Sequence, residues 1–271
     1  MVVVNSGAIS SIGAKDRDGN HELIDQLALE FRDSATDLLS GADEILAGAR
    51  DGNEITAADR DTLYRVGHSL KGLAAGFGYS LTSVVAHRFE DFLADLTELK
   101  PQHVASMQKF VDTLGDLVDG TVKESNVNVA EFIRKLPSRP SADFGDVTVQ
   151  DIEVFVVMPD DAVSRHVMRE LQACGYRVNR EGNSFKAIEI AAMTRPDLVV
   201  VTGVLDALSG VDVVSAFRAM PATKDIPVAL ITADTKEEAV ADGLPESVPI
   251  IRKGTDFGDD LTDALSEVGI L

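Results

Sequence analysis

The sequence predicts a multidomain chain: an all-α antiparallel helical bundle followed by an α/β domain with a doubly wound, five-stranded parallel sheet. Three observations carry this prediction. Up to about residue 120, apolar residues recur at three- and four-residue steps. Between 121 and 150 the pattern lapses into polar residues with Pro137, Ser138, Pro140 and Ser141. From 151 onward, short apolar runs alternate with helical stretches. At 271 residues, 45% of them hydrophobic, the chain is long enough for two domains that each bury a core.

Residues 1–20 sustain no period and read as an N-terminal tail, in which Val2–Val4 can dock as a short strand. From His21 to Arg50, Ile24, Leu27, Phe31, Leu38, Ala42, Ile45 and Ala49 keep helical spacing, and Asp51-Gly52-Asn53 supplies a stop. Thr56 with Asp59 three residues later is a capping-box pattern that starts a second helix and puts acidic charge at its positive end. That helix carries the stripe Leu63, Val66, Leu70, Leu73 and Phe77 and ends near Gly78. Leu81–Leu96 gives a third stripe (Val85, Phe89, Phe92, Leu96), and Pro101 opens a fourth (Val104, Met107, Val111, Leu114, Val118). Four amphipathic helices with short turns predict an antiparallel bundle over 21–120.

Residues 121–150 are expected to be a linker, although Val129–Leu136 can add a short helix. In 151–271, strands are expected at Ile152–Met158, Tyr176–Asn179, Asp197–Val201, Ile226–Thr232 and Val248–Ile251. Helices fall at Ala162–Cys174, Val211–Met220 and Asp256–Val268 among others. The ligand site of such a sheet lies at the carboxyl ends of its strands.

The net charge of −20 and pI near 4.5 argue against nucleic acid as a partner, because neutralising phosphates needs clustered Lys and Arg. One cysteine, Cys174, excludes an internal disulfide and suits a reducing compartment. No run approaches the roughly 18 apolar residues of a membrane span, and no basic leader precedes an apolar core, so a cytoplasmic protein without a membrane partner is expected.

The segment Gly67-His68-Ser69-Leu70-Lys71-Gly72 stands out. On a helix, His68, Lys71, Gly72, Ala75 and Gly76 share the face opposite the apolar stripe, so an imidazole sits beside an ammonium on a surface stripped of side chains. Each internal glycine gives up as much as ~1 kcal/mol of helix stability relative to alanine. Two readings account for that: close approach of another molecule to His68, or tight packing against a neighbouring helix with His68 a solvated surface residue.

His68-Ser69-Leu70-Lys71-Gly72, followed on the next helix by Ala86-His87-Arg88-Phe89-Glu90, resembles the histidine phosphotransfer (HPt) domain of chemotaxis-type histidine kinases. The resemblance implies that His68 is phosphorylated and that Lys71, Gly72, His87 and Glu90 support it. Physical chemistry agrees with those roles. A neutral imidazole has a lone pair that can attack phosphorus. Lys71 can offset phosphoryl charge, worth ~1 kcal/mol in water and ~4 at an effective dielectric of ~20 for a pair ~4 Å apart. Glu90 can hold the other ring nitrogen and fix the tautomer. His87 can equally be a structural hydrogen bonder, and Lys71 with Glu90 a solvated pair. The chain lacks the Asp-x-Gly-x-Gly lid and asparagine box of a histidine kinase, so the phosphoryl group is expected from a partner kinase or receiver, with magnesium on that partner and no metal or cofactor here.

Residues 151–271 resemble the flavodoxin-like receiver domain of response regulators. Pro196-Asp197-Leu198-Val199-Val200-Val201-Thr202 matches its third strand, with Thr202 where the phosphorylated aspartate belongs. Met158-Pro159-Asp160-Asp161 matches the acidic magnesium-binding pair, with Pro159 in place of the first acid. Thr232 and Lys253 match the switch threonine and the lysine, and Gly254 replaces the proline after it. A threonine forms no acyl phosphate, and too few hard oxygen ligands remain for magnesium. Asp206, four residues past Thr202, reads as an ordinary loop aspartate. These departures imply a non-phosphorylatable pseudo-receiver for regulation, docking or homodimer formation. The expected function is thus phosphorelay between a histidine kinase and a response regulator; the alternative is a non-catalytic protein that sequesters or scaffolds one of them.

Overall fold

The computed structural model describes residues 7–94, 96, 100–138, 150–254 and 257–270, with side chains from Leu23 onward except at 101 and 102. Val2–Val4 and residues 139–149, about a third of the expected linker, lie outside the described residues. The chain divides into two compact units, with the change at Val127/Asn128.

The first unit is helical: α1 (Gly7–Arg50), α2 (Ala57–Gly76), α3 (Ser80–Ala94) and α4 (Pro101–Val118). The first helix begins at Gly7 rather than at His21. No proline interrupts residues 7–50, and Gly13 and Gly19 each cost only ~1 kcal/mol relative to alanine, so the backbone stays helical where no amphipathic period announces it. Its core-facing residues are Phe31, Ala35, Leu39, Ala42 and Leu46, spaced four, four, three and four apart. Leu38 and Ile45 flank this stripe half-buried, while Ile24 and Leu27, expected on it, are exposed.

Leu63, Val66 and Leu70 of α2, Val85, Phe89 and Phe92 of α3, and Met107, Phe110 and Leu114 of α4 complete the bundle core. Phe110 is wedged between Phe89 and Phe92, each ring centroid 5.5 Å away. Thr56 caps α2 in the expected box with Asp59, and Gly78, at φ 82°, makes the turn after it. Helix α3 is capped from far along the chain: Glu124 accepts hydrogen bonds from the Leu81 and Thr82 amides and the Thr82 hydroxyl, at 3.1, 2.9 and 2.8 Å. The carboxylate meets the positive end of the helix and fixes its start.

The second unit contains α5 (Val129–Arg134), then β1 (Glu153–Val157), α6 (Ala162–Ala173), β2 (Arg177–Glu181), α7 (Ser184–Thr194), β3 (Leu198–Thr202), α8 (Gly210–Ala219), β4 (Val228–Thr232), α9 (Lys236–Ala241), β5 (Ile250–Arg252) and α10 (Phe257–Glu267). Asp256, the expected first residue of the last helix, lies outside the described residues. All strand pairs are parallel, in the order β2-β1-β3-β4-β5. This is the doubly wound, flavodoxin-like order of receiver domains. Strands β1, β3 and β4 are buried along their whole length, as strands covered on both faces must be. On one face Val154, Val156, Leu198, Val200, Ala229 and Ile231 meet Val167 and Leu171 of α6 and Leu261 and Leu265 of α10; α7 and α8 pack against the sheet and each other.

Within the expected linker, Val129–Leu136 is tied to this second unit. Ile133 and Leu136 are buried, and α5 packs on α7. Arg134 donates to the Asp151 carbonyl at 3.1 Å and pairs with Asp197 at 2.9 Å, while Asp197 also accepts from the Glu153 amide at 2.8 Å. Arg177 closes the ring by donating to the Leu136 carbonyl at 2.7 Å.

Candidate functional site

In the bundle, α2 and α3 run close enough for their polar residues to meet because residue 67 has no side chain. A Cβ at Gly67 would stand 3.3 Å from the Glu90 amide nitrogen, 3.4 Å from Phe89 Cδ1 and 3.5 Å from the Ala86 carbonyl. Gly72 and Gly76 differ: a Cβ there meets nothing within 4 Å. The two readings of the glycines are therefore divided between positions. Gly67 serves helix packing; Gly72 and Gly76 leave the surface beside His68 bare.

That close approach sets the central contact. His68 Nδ1 lies 2.9 Å from Glu90 Oε1, and Lys71 Nζ lies 2.5 Å from Glu90 Oε2. The Glu90 side chain is 8% exposed and that of His68 63%, so a buried carboxylate holds an open imidazole. Burial alone would raise the Glu90 pKa, but the Lys71 ammonium and the contact with His68 outweigh it and hold the carboxyl below its ordinary value. The second Glu90 oxygen is satisfied by its ionic contact with Lys71 rather than by a well-directed hydrogen bond. The Ser83 hydroxyl donates to the Lys71 carbonyl at 3.0 Å, a second stitch between the helices.

As an ionised carboxylate can only accept, the neutral ring donates its Nδ1 proton, and the lone pair resides on Nε2. Among the four expected supporting residues, the structure thus joins Lys71 and Glu90 to His68 in one chain and leaves Gly72 as open surface. His87 is mostly buried, and its Nε2 lies 3.8 Å from Asp91 Oδ1 one turn along its own helix. Sequence reasoning passed over Tyr64, whose ring lies nearly parallel to the imidazole at 14° with centroids 6.5 Å apart. The signal was available in its spacing, one turn before His68 on the same face.

In the second unit the expected residues gather at the carboxyl ends of β1, β3, β4 and β5, and each is engaged. Lys253 donates to the Thr202 hydroxyl at 3.1 Å across the end of the sheet. Thr202 is 2% exposed. The Thr232 hydroxyl donates to Asp234 at 2.6 Å and accepts from the Asp234 amide at 3.2 Å. Asp160 is approached by Arg165 at 3.0 Å and Arg180 at 3.8 Å. Asp161 caps α6 by accepting from the Ser164 amide at 2.8 Å. Asp206 binds Asn183 Nδ2 at 3.0 Å and the Ser184 hydroxyl at 3.2 Å, fastening its loop to the start of α7. The Ala207 amide, with Ser184, holds the Asp206 carboxyl below the ordinary aspartate range. Among the described residues, no group of three or more His, Cys, Asp or Glu is arranged to hold a metal ion, and no helix is long and apolar enough to cross a membrane.

Comparison with known proteins follows this division. Residues 26–122, which take in most of the helical unit and His68, match the family model described as the Hpt domain, and the unit that follows has the strand order of a receiver-like fold. Over 99 residues the chain is 33% identical to the transcriptional regulatory protein PrrA of Mycobacterium leprae, and over 91 residues 32% identical to the response regulator MprA of a Mycobacterium species, strain KMS. The matches take in 36% and 33% of this chain and 42% and 39% of those proteins, so the chain spans about two-fifths of the length of these curated relatives. Similar solved structures include a putative response regulator from Chloroflexus aurantiacus (20% identity, TM-score 0.40, 43% of this chain and 97% of that one). Another is the chemotaxis response regulator CheY4 of Vibrio cholerae (22%, TM-score 0.39, 43% and 98%). An Hpt domain joined to a receiver-like domain is the equipment of two-component phosphorelay signalling.

Proposed function

We propose that His68 is a phosphoryl carrier in a relay between a histidine kinase, or a receiver's aspartyl phosphate, and a response regulator. The observation that carries this reading is the exposed imidazole whose Nδ1 is held by buried Glu90 at 2.9 Å. The Nε2 lone pair attacks phosphorus while the bond to the donor oxygen breaks, and that oxygen leaves with the electron pair. Positive charge arising on the ring is met by Glu90, which holds the Nδ1 proton. Lys71, already beside Glu90, lies one turn away to meet phosphoryl charge. Delivery reverses these steps: a carboxylate oxygen of the recipient attacks phosphorus, and the N–P bond returns its electrons to Nε2.

The chain then acts as a carrier rather than an enzyme, in the cytoplasm, with magnesium on its partners and no metal, cofactor, nucleic acid or membrane of its own. In the receiver-like domain, Thr202 offers no carboxylate, and Asp160 and Asp161 are spent on arginines and a helix cap. We assign that domain to regulation, docking or dimerisation without phosphorylation. The decisive experiment exposes the chain to active histidine kinases and phosphorylated receivers. A label that is acid-labile and alkali-stable, and lost in His68→Gln, is expected; a label of that kind persisting in His68→Gln refutes the assignment.

A further inference from the structure

We infer that Arg65 is the phosphoryl-binding side chain of the carrier, its guanidinium donating hydrogen bonds to the oxygens of the group that His68 takes up at Nε2. The inference rests on the carrier reading of His68 and deepens it. The bearing of α2 decides which side chains can reach that group. Gly67 faces α3, with the Glu90 amide nitrogen 3.3 Å from the place of a Cβ. At about 100° of turn per residue, His68 stands about 100° round the helix from Gly67, Lys71 about 40° and Arg65 about 160°. Lys71 and Arg65 therefore flank the imidazole on opposite sides. Glu90 holds Nδ1 toward α3 at 2.9 Å, on the flank where Lys71 is also bound to Glu90. Nε2, at the far corner of the ring, is turned the other way. On that flank Gly72 leaves the surface open one turn beyond His68, while Arg65 stands three residues before it. Helical side chains lean toward the N-terminus, so the imidazole projects over the turn that carries the guanidinium. Lys71 adds its charge from the Nδ1 flank; Arg65 supplies donors where the phosphoryl group sits.

Arg65 is exposed, and its guanidinium is held by a neutral group. Its Nη2 donates to the Thr62 hydroxyl at 3.2 Å, and that hydroxyl donates in turn to the Ala58 carbonyl at 2.9 Å. The acid one turn earlier, Asp61, pairs with Arg60 at 3.3 Å. Among the described residues, Arg65 has no carboxylate partner. The Thr62 contact steadies one end of the guanidinium and leaves the rest of its rigid fork free to donate. That fork matches phosphoryl oxygens in pairs, and charge-assisted bonds of this kind are roughly twice as strong as neutral ones. An uncompensated cation beside His68 counts for more in a chain of net charge −20, which otherwise repels an anionic donor. Arg65 gives up no proton. As the N–P bond forms and the donor oxygen leaves with its electron pair, the guanidinium donates to the phosphoryl oxygens and stays cationic.

The test phosphorylates the full chain with phosphoramidate, a small nitrogen–phosphorus donor that needs no docking surface, and compares wild type, Arg65→Gln, Arg65→Lys and Arg60→Gln. Label incorporation gives the rate, and phosphorus NMR of the phosphohistidine against pH gives the titration of the phosphoryl group. A cation in contact favours the dianion, so Arg65→Gln should raise the midpoint of that titration and slow labelling several-fold, with helix content unchanged. Arg65→Lys, which keeps the charge but not the fork, should fall between. Arg60→Gln removes the same charge from α2 two turns before His68 and should match wild type in both readouts. The midpoint decides: if it is unmoved in Arg65→Gln, whatever the rate, or shifts equally in Arg60→Gln, the inference is overturned. If wild type carries no phosphoryl group on His68, the carrier reading falls and this inference with it. A phosphorylated wild type beside an unmoved Arg65→Gln midpoint retires the role of Arg65 alone.

Discussion

His68 Nδ1 and Glu90 Oε1 meet at 2.9 Å across two helices, 22 residues apart in the chain. The contact orients a solvent-facing ring from beneath, so the two residues should respond to mutation as one unit. Replacing Glu90 with Gln keeps the shape but removes the charge that matches Lys71 and favours the Nδ1 proton. Loss of such an orienting partner at a histidine typically costs about 10- to 100-fold in function. Initial rates of His68 labelling from one kinase should fall by that order in Glu90→Gln, with helix content by circular dichroism retained.

The same carboxylate gives the fold a pH dependence. The pKa of Glu90 in the folded chain lies below its ordinary 4.5. A group depressed by folding stabilises fully above its unfolded pKa, and that contribution is lost as pH falls through the folded value. The gap in thermal midpoint between wild type and Glu90→Gln should therefore hold steady from about pH 7 to pH 5.5 and narrow below about pH 4.5. A gap that widens on acidification contradicts this account.

The glycines should separate by sign. Gly67→Ala pushes a methyl group against the α3 backbone, with 3.3 Å to the Glu90 nitrogen, and overpacking of this kind costs about 1–3 kcal/mol. Gly72→Ala meets open space and should gain as much as ~1 kcal/mol from helix propensity. Urea unfolding of the two variants measures both; a stabilised Gly67→Ala would mean that the helices separate at little cost.

Restoring one aspartate should not restore a receiver. In Thr202→Asp the new carboxylate gains Lys253, which lies 3.1 Å from the present hydroxyl, but Pro159 still offers no ligand and Asp160 still faces two arginines. Magnesium needs several oxygen ligands in near-octahedral array. No magnesium-dependent beryllofluoride binding is expected from Thr202→Asp by fluorine NMR; binding would show that the acidic pair is less committed than its contacts imply.

The segment before β1 should count toward the stability of the second unit. A fragment beginning at residue 128 should be more stable than one beginning at 150 by on the order of 3 kcal/mol, since Ile133 and Leu136 each bury a side chain worth about 1.5–3 kcal/mol at most. The half-exposed Arg134–Asp197 pair adds about 0.5 kcal/mol after solvent screening. Urea midpoints of the two fragments give the comparison directly.

Much of this was legible in the sequence because it rests on period and local chemistry. The stripes of α2, α3 and α4, the Thr56 cap, the apolar strands β1, β3, β4 and β5 and the pairing of Glu90 with His68 all follow from residue spacing and resemblance. What escaped depends on distance in the chain. Arg134 finds Asp197 63 positions on, and no local pattern of a six-residue helix announces that contact. Gly67 and Gly72 look alike in sequence and differ only in what faces them. Helix α1 begins early because nothing breaks it, and the absence of a breaker is a weaker cue than an apolar stripe. His87 was grouped with the phosphoryl site by resemblance, and its Nε2 lies 3.8 Å from Asp91 Oδ1, a neighbour one turn along that the resemblance does not mention.

The fit at Gly67 also gives a means of tuning. Residue 67 sets the gap between the helix that carries the ring and the helix that carries its orienting carboxylate. A graded series of alanine, serine and valine there would lever the two apart by tenths of an ångström at a time. Such a series would grade phosphoryl exchange without altering a single reacting group, making an inert backbone position the adjusting screw of the relay.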